Sequence, residues 1–515
     1  MKIGITTNEI LIPKKIFSST VDKDLELDAP VPEYCPDIAR IVKVDCTPFV
    51  EGCDVSDGKA AVRGRVVYDV LYETDYKNRL RCVSFTQELT HTLALPRTDA
   101  SNADADCFIS CERIGCRLLS PRRLIIKATL GMRLDVEGEI TLSALAVSED
   151  ESTFFRKKTI GFDGRTKKHS EVFKFGDSLP LAQSEKSIGE IVCGSISLQP
   201  PQLVVSQGRA EIRTTATLHA LYEEENGEGR YLTTQKSFPI TLEHQNGDID
   251  DNKRVSVQLE PFGTELTPEL DQYGESRVIK TSLSVGMKLL VTEPKAYTVA
   301  EDVFERGYDS TPVTGKVSLP YRSAFGESAF SEEAKIPASV PGAVSLLDAS
   351  ARDGGGSAEQ SDGGVTVKGV FLLTLLTETA DGITSTDASL PYSRFFALEL
   401  PESVSFVAHE TEIAEVIPTL HSDGSATVKV IASTKISAYS EKEEELVTAL
   451  TKRVAREASD DSPSLVFCYP SKDERLWDIA KLYRASPESI RSANPSSFDE
   501  QGVAQDTGKP ILIKA

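Results

Sequence analysis

The feature that most constrains this chain is one stretch of sequence that it uses three times. The copies run from Asp57 to Pro96, from Gln207 to His244 and from Asp362 to Pro401. Each opens on a glycine-bearing turn, continues as an alternating apolar and polar run, turns through polar residues and returns in a second alternating run. Gly58, Gly208 and Gly363 mark the opening turns, spaced by 150 and 155 residues. Alternation with period two is the pattern of a strand with one buried face. A period this long predicts duplicated domains rather than a solenoid of short repeats.

Flanking segments keep the same spacing. Pro36-Asp37-Ile38-Ala39-Arg40-Ile41-Val42 has a counterpart in Lys186-Ser187-Ile188-Gly189-Glu190-Ile191-Val192, readable as a short helix or a strand. A second β-rich block follows each central stretch, at Arg122–Glu137, Arg277–Glu293 and Ala426–Tyr439. Residues 1–30 can supply an edge strand. The expected fold is mainly β: three repeated antiparallel β domains, each a sandwich or distorted barrel, over residues 1–150, 151–294 and 295–440. Asp348–Gly364 is rich in Gly and Ser and reads as a mobile inserted loop.

Residues 441–463 change character. Glu441 to Glu445 make an acidic start, and Leu446, Leu450 and Val454 recur at helical spacing, so a helical, acidic linker is expected. Residues 464–515 read as a separate module of order βααβ. Leu465–Tyr469 is a short strand, and Leu476–Tyr483 is a helix with Leu476, Ile479, Ala480 and Tyr483 on one face. Ser486-Pro487 opens a second helix carrying Ile490, which stops at Asn494-Pro495. Ile511-Leu512-Ile513 closes the module as a strand.

The net charge of −22 disfavours nucleic acid and anionic membrane surfaces as partners. No run is long and apolar enough for a membrane span, and Met1–Phe17 lacks the continuous apolar core of a secretory signal, so a cytoplasmic protein is expected. No phosphate-binding Walker loop, His-Glu-x-x-His or Gly-x-Ser-x-Gly motif occurs, and the six histidines are scattered, so no enzyme and no cofactor are expected. Seven of nine cysteines lie in the first quarter. Cys107, Cys111 and Cys116 are not spaced as zinc ligands; they read as small core residues, with metal binding or oxidative cross-linking as the other readings.

The βααβ segment resembles the LysM domain through Leu476-Trp477-Asp478-Ile479-Ala480, Tyr483, Ser486–Ile490, Asn494-Pro495 and the final strand. That resemblance implies glycan binding through two loops, the second of which, Ser496–Gly508, is long and atypical here. Asp473-Glu474-Arg475 stands where the family has a Gly-Asp-Thr or Gly-Asp-Ser loop, which disfavours the sugar. Three β repeats followed by such a module resemble the SipL-like spore-coat morphogenetic proteins of clostridia, with Pro36-Asp37-Ile38 and Val70-Leu71-Tyr72 as the clearest pieces. The resemblance implies a mother-cell adaptor at the forespore surface. Its module would bind a SpoIVA-like coat ATPase. The residues assigned to that partner are Arg475, Leu476, Trp477, Ile479, Ile490 and Asn494. Of these, Leu476 and Ile479 also belong to the inner helix face. Trp477, the only tryptophan, is the one singled out: one reading is core packing of the small module, because Trp buries a large area, and the other is partial exposure at the partner surface, since Trp is enriched at binding hot spots. The rival reading is a cell-wall protein that binds N-acetylglucosamine polymers.

Overall fold

The computed structural model describes residues 7–76, 79–147, 152–227, 229–337, 345–379, 382–455, 465–505 and 508–514. The chain is mainly β. Six strands come first: β1 (Thr7–Pro30), β2 (Ile38–Ser56), β3 (Lys59–Thr74), β4 (Leu80–Ala94), β5 (Ser101–Ser120) and β6 (Arg123–Leu145). They form two antiparallel sheets, ordered β1-β6-β5 and β2-β3-β4. After β7 (Thr153–Asp163) come β8 (Lys167–Pro180), β9 (Ile188–Leu198), β10 (Gln202–Ser206), β11 (Arg209–Glu224), β12 (Tyr231–Gln245), β13 (Arg254–Leu270) and β14 (Ser276–Thr292). Here the sheets are β13-β14-β8 and β10-β11-β12, with β9 also paired to β11. After β15 (Pro294–Glu305) come β16 (Tyr308–Ile336), β17 (Ser345–Ser361), β18 (Gly364–Thr379), β19 (Gly382–Ala397), β20 (Val404–Leu420) and β21 (Ala426–Ala455), in sheets β16-β21-β20 and β17-β18-β19.

Alternation explains where each core sits. In the first package Val62, Val66, Tyr68 and Val70 of β3 share a buried cluster with Leu124, Ala128, Leu130 and Leu134 of β6. Ile212 and Leu218 meet Leu283, Val285 and Leu289 in the second, and Val367 and Phe371 meet Val428 and Val430 in the third. Each core is therefore sandwiched between two sheets. Among the described residues no sheet closes on itself, so the distorted-barrel form of the expectation gives way to open, facing sheets. Gly58, Gly208 and Gly363 all take a left-handed φ, at 69°, 75° and 79°, in the turn that enters β3, β11 and β18.

Two local expectations are corrected. Asp348–Gly364 is not an inserted loop: residues to Ser361 form β17, paired with β18. The extra glycines are taken up by a register shift between Asp353 and Gly356, where Gly355 has φ 92° and donates its N–H to Asp353 Oδ1 at 3.1 Å. Likewise, 441–455 is not a helix but the far half of β21, paired with β16 from Tyr308 onward. Leu446, Leu450 and Val454 are spaced by four, an even number, so their spacing alone fits a strand as well as a helix; in β21 register shifts fall between them, and Leu446 is buried while Val454 is exposed. The ladder to β16 decides between the two. Residues 456–463, the rest of that expected linker, lie outside the described residues.

The packages meet at one apolar hub. It draws Val42, Leu71 and Leu80 from β2, β3 and β4; Val192, Leu221 and Tyr231 from β9, β11 and β12; and Leu347, Leu376 and Ile383 from β17, β18 and β19. Backbone groups are tied across it. Leu80 N–H donates to Tyr231 Oη at 2.7 Å, Arg40 Nη2 to the Ile383 carbonyl at 2.7 Å, and Ser385 Oγ to the Val42 carbonyl at 2.8 Å. A second junction forms where β7 and β15 pair antiparallel. Ile160, Phe162 and Val299 of that pair bury against Ile10 and Ile12 of β1, Val317 and Leu319 of β16, and Leu446 of β21. The segments that open the second and third sequence divisions thus pair with each other.

Candidate partner-binding surface

The C-terminal segment contains β22 (Leu465–Cys468), α1 (Leu476–Tyr483), α2 (Pro487–Ala493) and β23 (Ile511–Lys514), with β22 antiparallel to β23. Ser486 caps α2 by accepting from Ser489 N–H at 3.3 Å, and Pro487 needs no partner at the first helical position. α1 has no side-chain cap at Arg475; its Leu476 N–H donates to the Gly502 carbonyl at 2.7 Å instead. Leu476, Ile479, Ala480, Ile490, Ile511 and Ile513 build a small core.

Most residues assigned to the partner are structural. Ile479 and Ile490 have no exposed surface, and Leu476 is buried. Asn494 is buried as well: its amide donates to the Ile490 carbonyl at 2.7 Å and the Leu512 carbonyl at 2.8 Å, and its Oδ1 accepts from Leu512 N–H at 2.8 Å. It staples α2 to β23. These four therefore cannot face a partner in this arrangement. Arg475 is exposed and bridges to Val503.

Trp477 is half-buried against the body of the same chain. Its ring lies 5.1 Å from Phe304 of β15, which is itself fully buried and 5.1 Å from Phe154 of β7. Its Nε1–H donates to Asp302 Oδ2 at 2.8 Å. Lys481, one turn later on α1, donates to both Asp302 oxygens at 2.8 and 2.7 Å. Burial works to raise the Asp302 carboxyl, but Lys481 and Trp477 outweigh it and hold the group below the ordinary carboxylate range. Arg484 adds a contact to the Glu305 carbonyl at 3.3 Å and stacks over Phe304 at 5.9 Å. Such an aromatic pair with a charge-assisted donor contributes about 2–4 kcal/mol of docking.

With Trp477 turned inward, the apolar surface left to solvent is on the strand. Leu465, Phe467 and Tyr469 alternate outward from β22 and its exit, exposed by 54%, 65% and 66%. Leu512, opposite Phe467 on β23, is half-exposed beside them. Val466 and Cys468, of the other parity, pack inward. The sequence showed the strand but not this face, because all five residues from Leu465 to Tyr469 are apolar and parity alone does not say which side is buried. The two loops expected to cradle a glycan are joined to each other. Arg475 bridges Val503, and Ala504 N–H donates to the Glu474 carbonyl at 3.0 Å. Asp473 takes a left-handed φ of 65°, the conformation a glycine would adopt there at no steric cost.

Among the described residues, no three His, Cys, Asp or Glu side chains converge as a metal site, and no helix is long and apolar enough to cross a membrane. Residues 37–118, which run from the start of β2 to near the end of β5, match the family model of the SipL, SPOCS domain. This supports a SipL-like, sporulation-related protein. No curated protein and no solved structure matches the chain.

Proposed function

We propose that this protein is a non-enzymatic scaffold of spore-coat assembly. In this reading its body consists of three repeated SPOCS-type β units, and residues 464–515 form a LysM-like module that has become a protein-binding device. The partner is a SpoIVA-like ATPase of the coat's basement layer, met in the mother-cell cytoplasm at the forespore surface. The observation that carries the reading is the outward face of β22. Three large apolar side chains in a row stay exposed while Trp477 is spent on holding the module to the body. Exposed apolar patches of this kind mark interaction sites. Two further facts favour a protein over a sugar. The glycan loops are bridged to each other. The module also carries seven basic and seven acidic residues from Ser464 onward, so the −22 charge sits in the body and the module is the end least repelled by an acidic partner.

The test is retention of the purified ATPase by the full chain. Phe467→Asp with Tyr469→Asp should cut affinity by roughly 2 kcal/mol or more, about thirtyfold, with an unchanged circular dichroism spectrum. Unchanged ATPase affinity in that double variant would remove the β22 face from the reading. Sedimentation of the wild-type chain with purified peptidoglycan, together with indifference to the ATPase, would replace the adaptor with a wall-binding protein.

A further inference from the structure

The first and second packages face each other across a cleft that the scaffold role does not use. Its volume is about 530 Å3, within the range of small-molecule sites, and junctions between folded units are common places for them. Asp104 of β5 and Glu139 of β6 line it from the first package. The rest of the lining comes from the β7–β8 turn, the start of β8, the β12–β13 connection, the end of β14 and the start of β15. Five of the lining residues are Lys or Arg and four are Asp or Glu, a local excess of one positive charge in a chain of −22.

The carboxylates of the cleft are largely engaged. Asp104 pairs with Arg165 at 3.5 Å and with Lys168 at 3.4 Å, and Asp248 pairs with Lys167 at 2.7 Å. Glu139 is buried and accepts from Asn102 Nδ2 at 3.0 Å, while Glu293 is exposed to solvent. The donors are less fully used. Lys253 donates to a main-chain oxygen, the Asp248 carbonyl, at 2.9 Å. Lys295 has no ion pair or side-chain hydrogen bond among the described residues. Its stem crosses Gly164, where an added Cβ would lie 3.1 Å from Lys295 Cε. His169 holds a donor whose direction is fixed. Asn246 Oδ1 accepts the Asp248 N–H at 2.9 Å, which turns Asn246 Nδ2 towards His169 Nδ1 at 3.1 Å. An amide nitrogen only donates, so Nδ1 accepts and the neutral ring carries its proton on Nε2. That Nε2 is buried and without a hydrogen-bond partner; Asp248 Oδ2, at 3.9 Å, is beyond reach. A buried donor left unpaired is costly, and an acceptor entering the cleft would remove that cost.

We propose that this cleft binds a phosphate-type oxyanion through Lys253, Lys295 and the Nε2–H of His169. The two ammonium groups supply charge, and the imidazole supplies one directed hydrogen bond. Three donors carried by three separate elements suit a tetrahedral group with several terminal oxygens better than a planar carboxylate, which offers two. The engaged carboxylates Asp104 and Asp248 keep Arg165, Lys167 and Lys168 in place and set the walls. The ligand is free phosphate or the phosphate group of a small organic ester; both present the same oxygens, and the volume leaves room for the body of the ester. The proposal does not depend on the partner assigned to the C-terminal module.

The experiment titrates the full chain at low ionic strength with inorganic phosphate and, separately, with glycerol 3-phosphate, by isothermal titration calorimetry against a sodium chloride blank. Both should bind at one saturable site per chain and compete with each other. Tighter binding of the ester assigns a small organic phosphate as the ligand, and an affinity no weaker for the free ion assigns phosphate itself. Lys295→Gln should lower the affinity about tenfold or more, with an unchanged circular dichroism spectrum, and His169→Phe should lower it as well. Lys295→Arg keeps the charge and should retain most of the binding. Lys280→Gln removes the same charge from an exposed pair with Glu269 towards the opposite end of β14 and should leave the affinity unchanged. No saturable heat with either compound would overturn the proposal. So would an equal loss in Lys280→Gln, which would make the binding a general effect of charge, or an affinity unchanged in either Lys295→Gln or His169→Phe.

Discussion

The hub and the docking site of the C-terminal module are both contacts between distant parts of one chain, but they are built on different terms. The hub is apolar and many-sided: nine buried residues on nine strands, three from each package, with hydrogen bonds between side chains of one package and backbone groups of another. No single residue owns it, since the cluster takes equal shares from the three packages. The module is held by a few groups: Trp477 and Arg484 on Phe304, Asp302 receiving both Trp477 and Lys481, and Arg484 bonded to the Glu305 carbonyl and paired with Asp309. Contacts of the first kind share their loss among many residues and set the body as one unit. Contacts of the second kind concentrate in a few groups and are separable by a single change. The expected consequence is that weakening this contact leaves both sides folded.

Tests of that contrast rank by size. Tyr231→Ala should cost the most, about 3–5 kcal/mol in denaturant unfolding, because it empties hub volume and orphans the Leu80 N–H that its hydroxyl accepts. Tyr231→Phe keeps the ring and should cost only about 1–3 kcal/mol through that unpaired donor. If both variants are neutral, the hub is not the joint described. Next comes Asp302→Asn, expected to cost about 1.5–3 kcal/mol of docking while the body's unfolding midpoint stays put. Trp477 is the only tryptophan, so its fluorescence reports docking directly, and a red shift is the expected readout. A shift of the body's midpoint along with it would show that module and body are one cooperative unit.

Acid gives a smaller version of the same effect. The Asp302 carboxyl is depressed in the folded chain, so its stabilising contribution is present above the ordinary carboxylate value of 3.8 and is lost as pH falls through the lower folded value. The Trp477 emission should therefore hold steady down to that ordinary value and move only below it. A transition near neutral pH would point to a different group. Smallest of all, Leu482→Ser should leave stability within about 0.5 kcal/mol, because that side chain is exposed on α1 and takes no part in the docking contact.

Much of this architecture is legible in the sequence, and particular residues show why. Val62, Val66, Tyr68 and Val70 share one parity on β3, so alternation named both the strand and its buried face. Ser486-Pro487 marks a helix start by local chemistry alone, and Gly58, Gly208 and Gly363 mark turns by a φ that other residues avoid. These signals are short-range: they depend on a residue and its neighbours along the chain. What only the tertiary structure decided depends on partners far away in sequence. Leu446 and Leu450 fit helix and strand equally, and β16, more than a hundred residues earlier, made them a strand. Trp477 had the composition of an exposed anchor, and Phe304 with Asp302 turned it inward, leaving the outer face of Leu465–Tyr469 to solvent. Val66 and Leu130 stand sixty-four positions apart, and only the facing of two sheets puts them in one core. Period and propensity act over a few residues, whereas the choice of which surfaces meet is made by burial of whole faces, and that is a property of the folded chain.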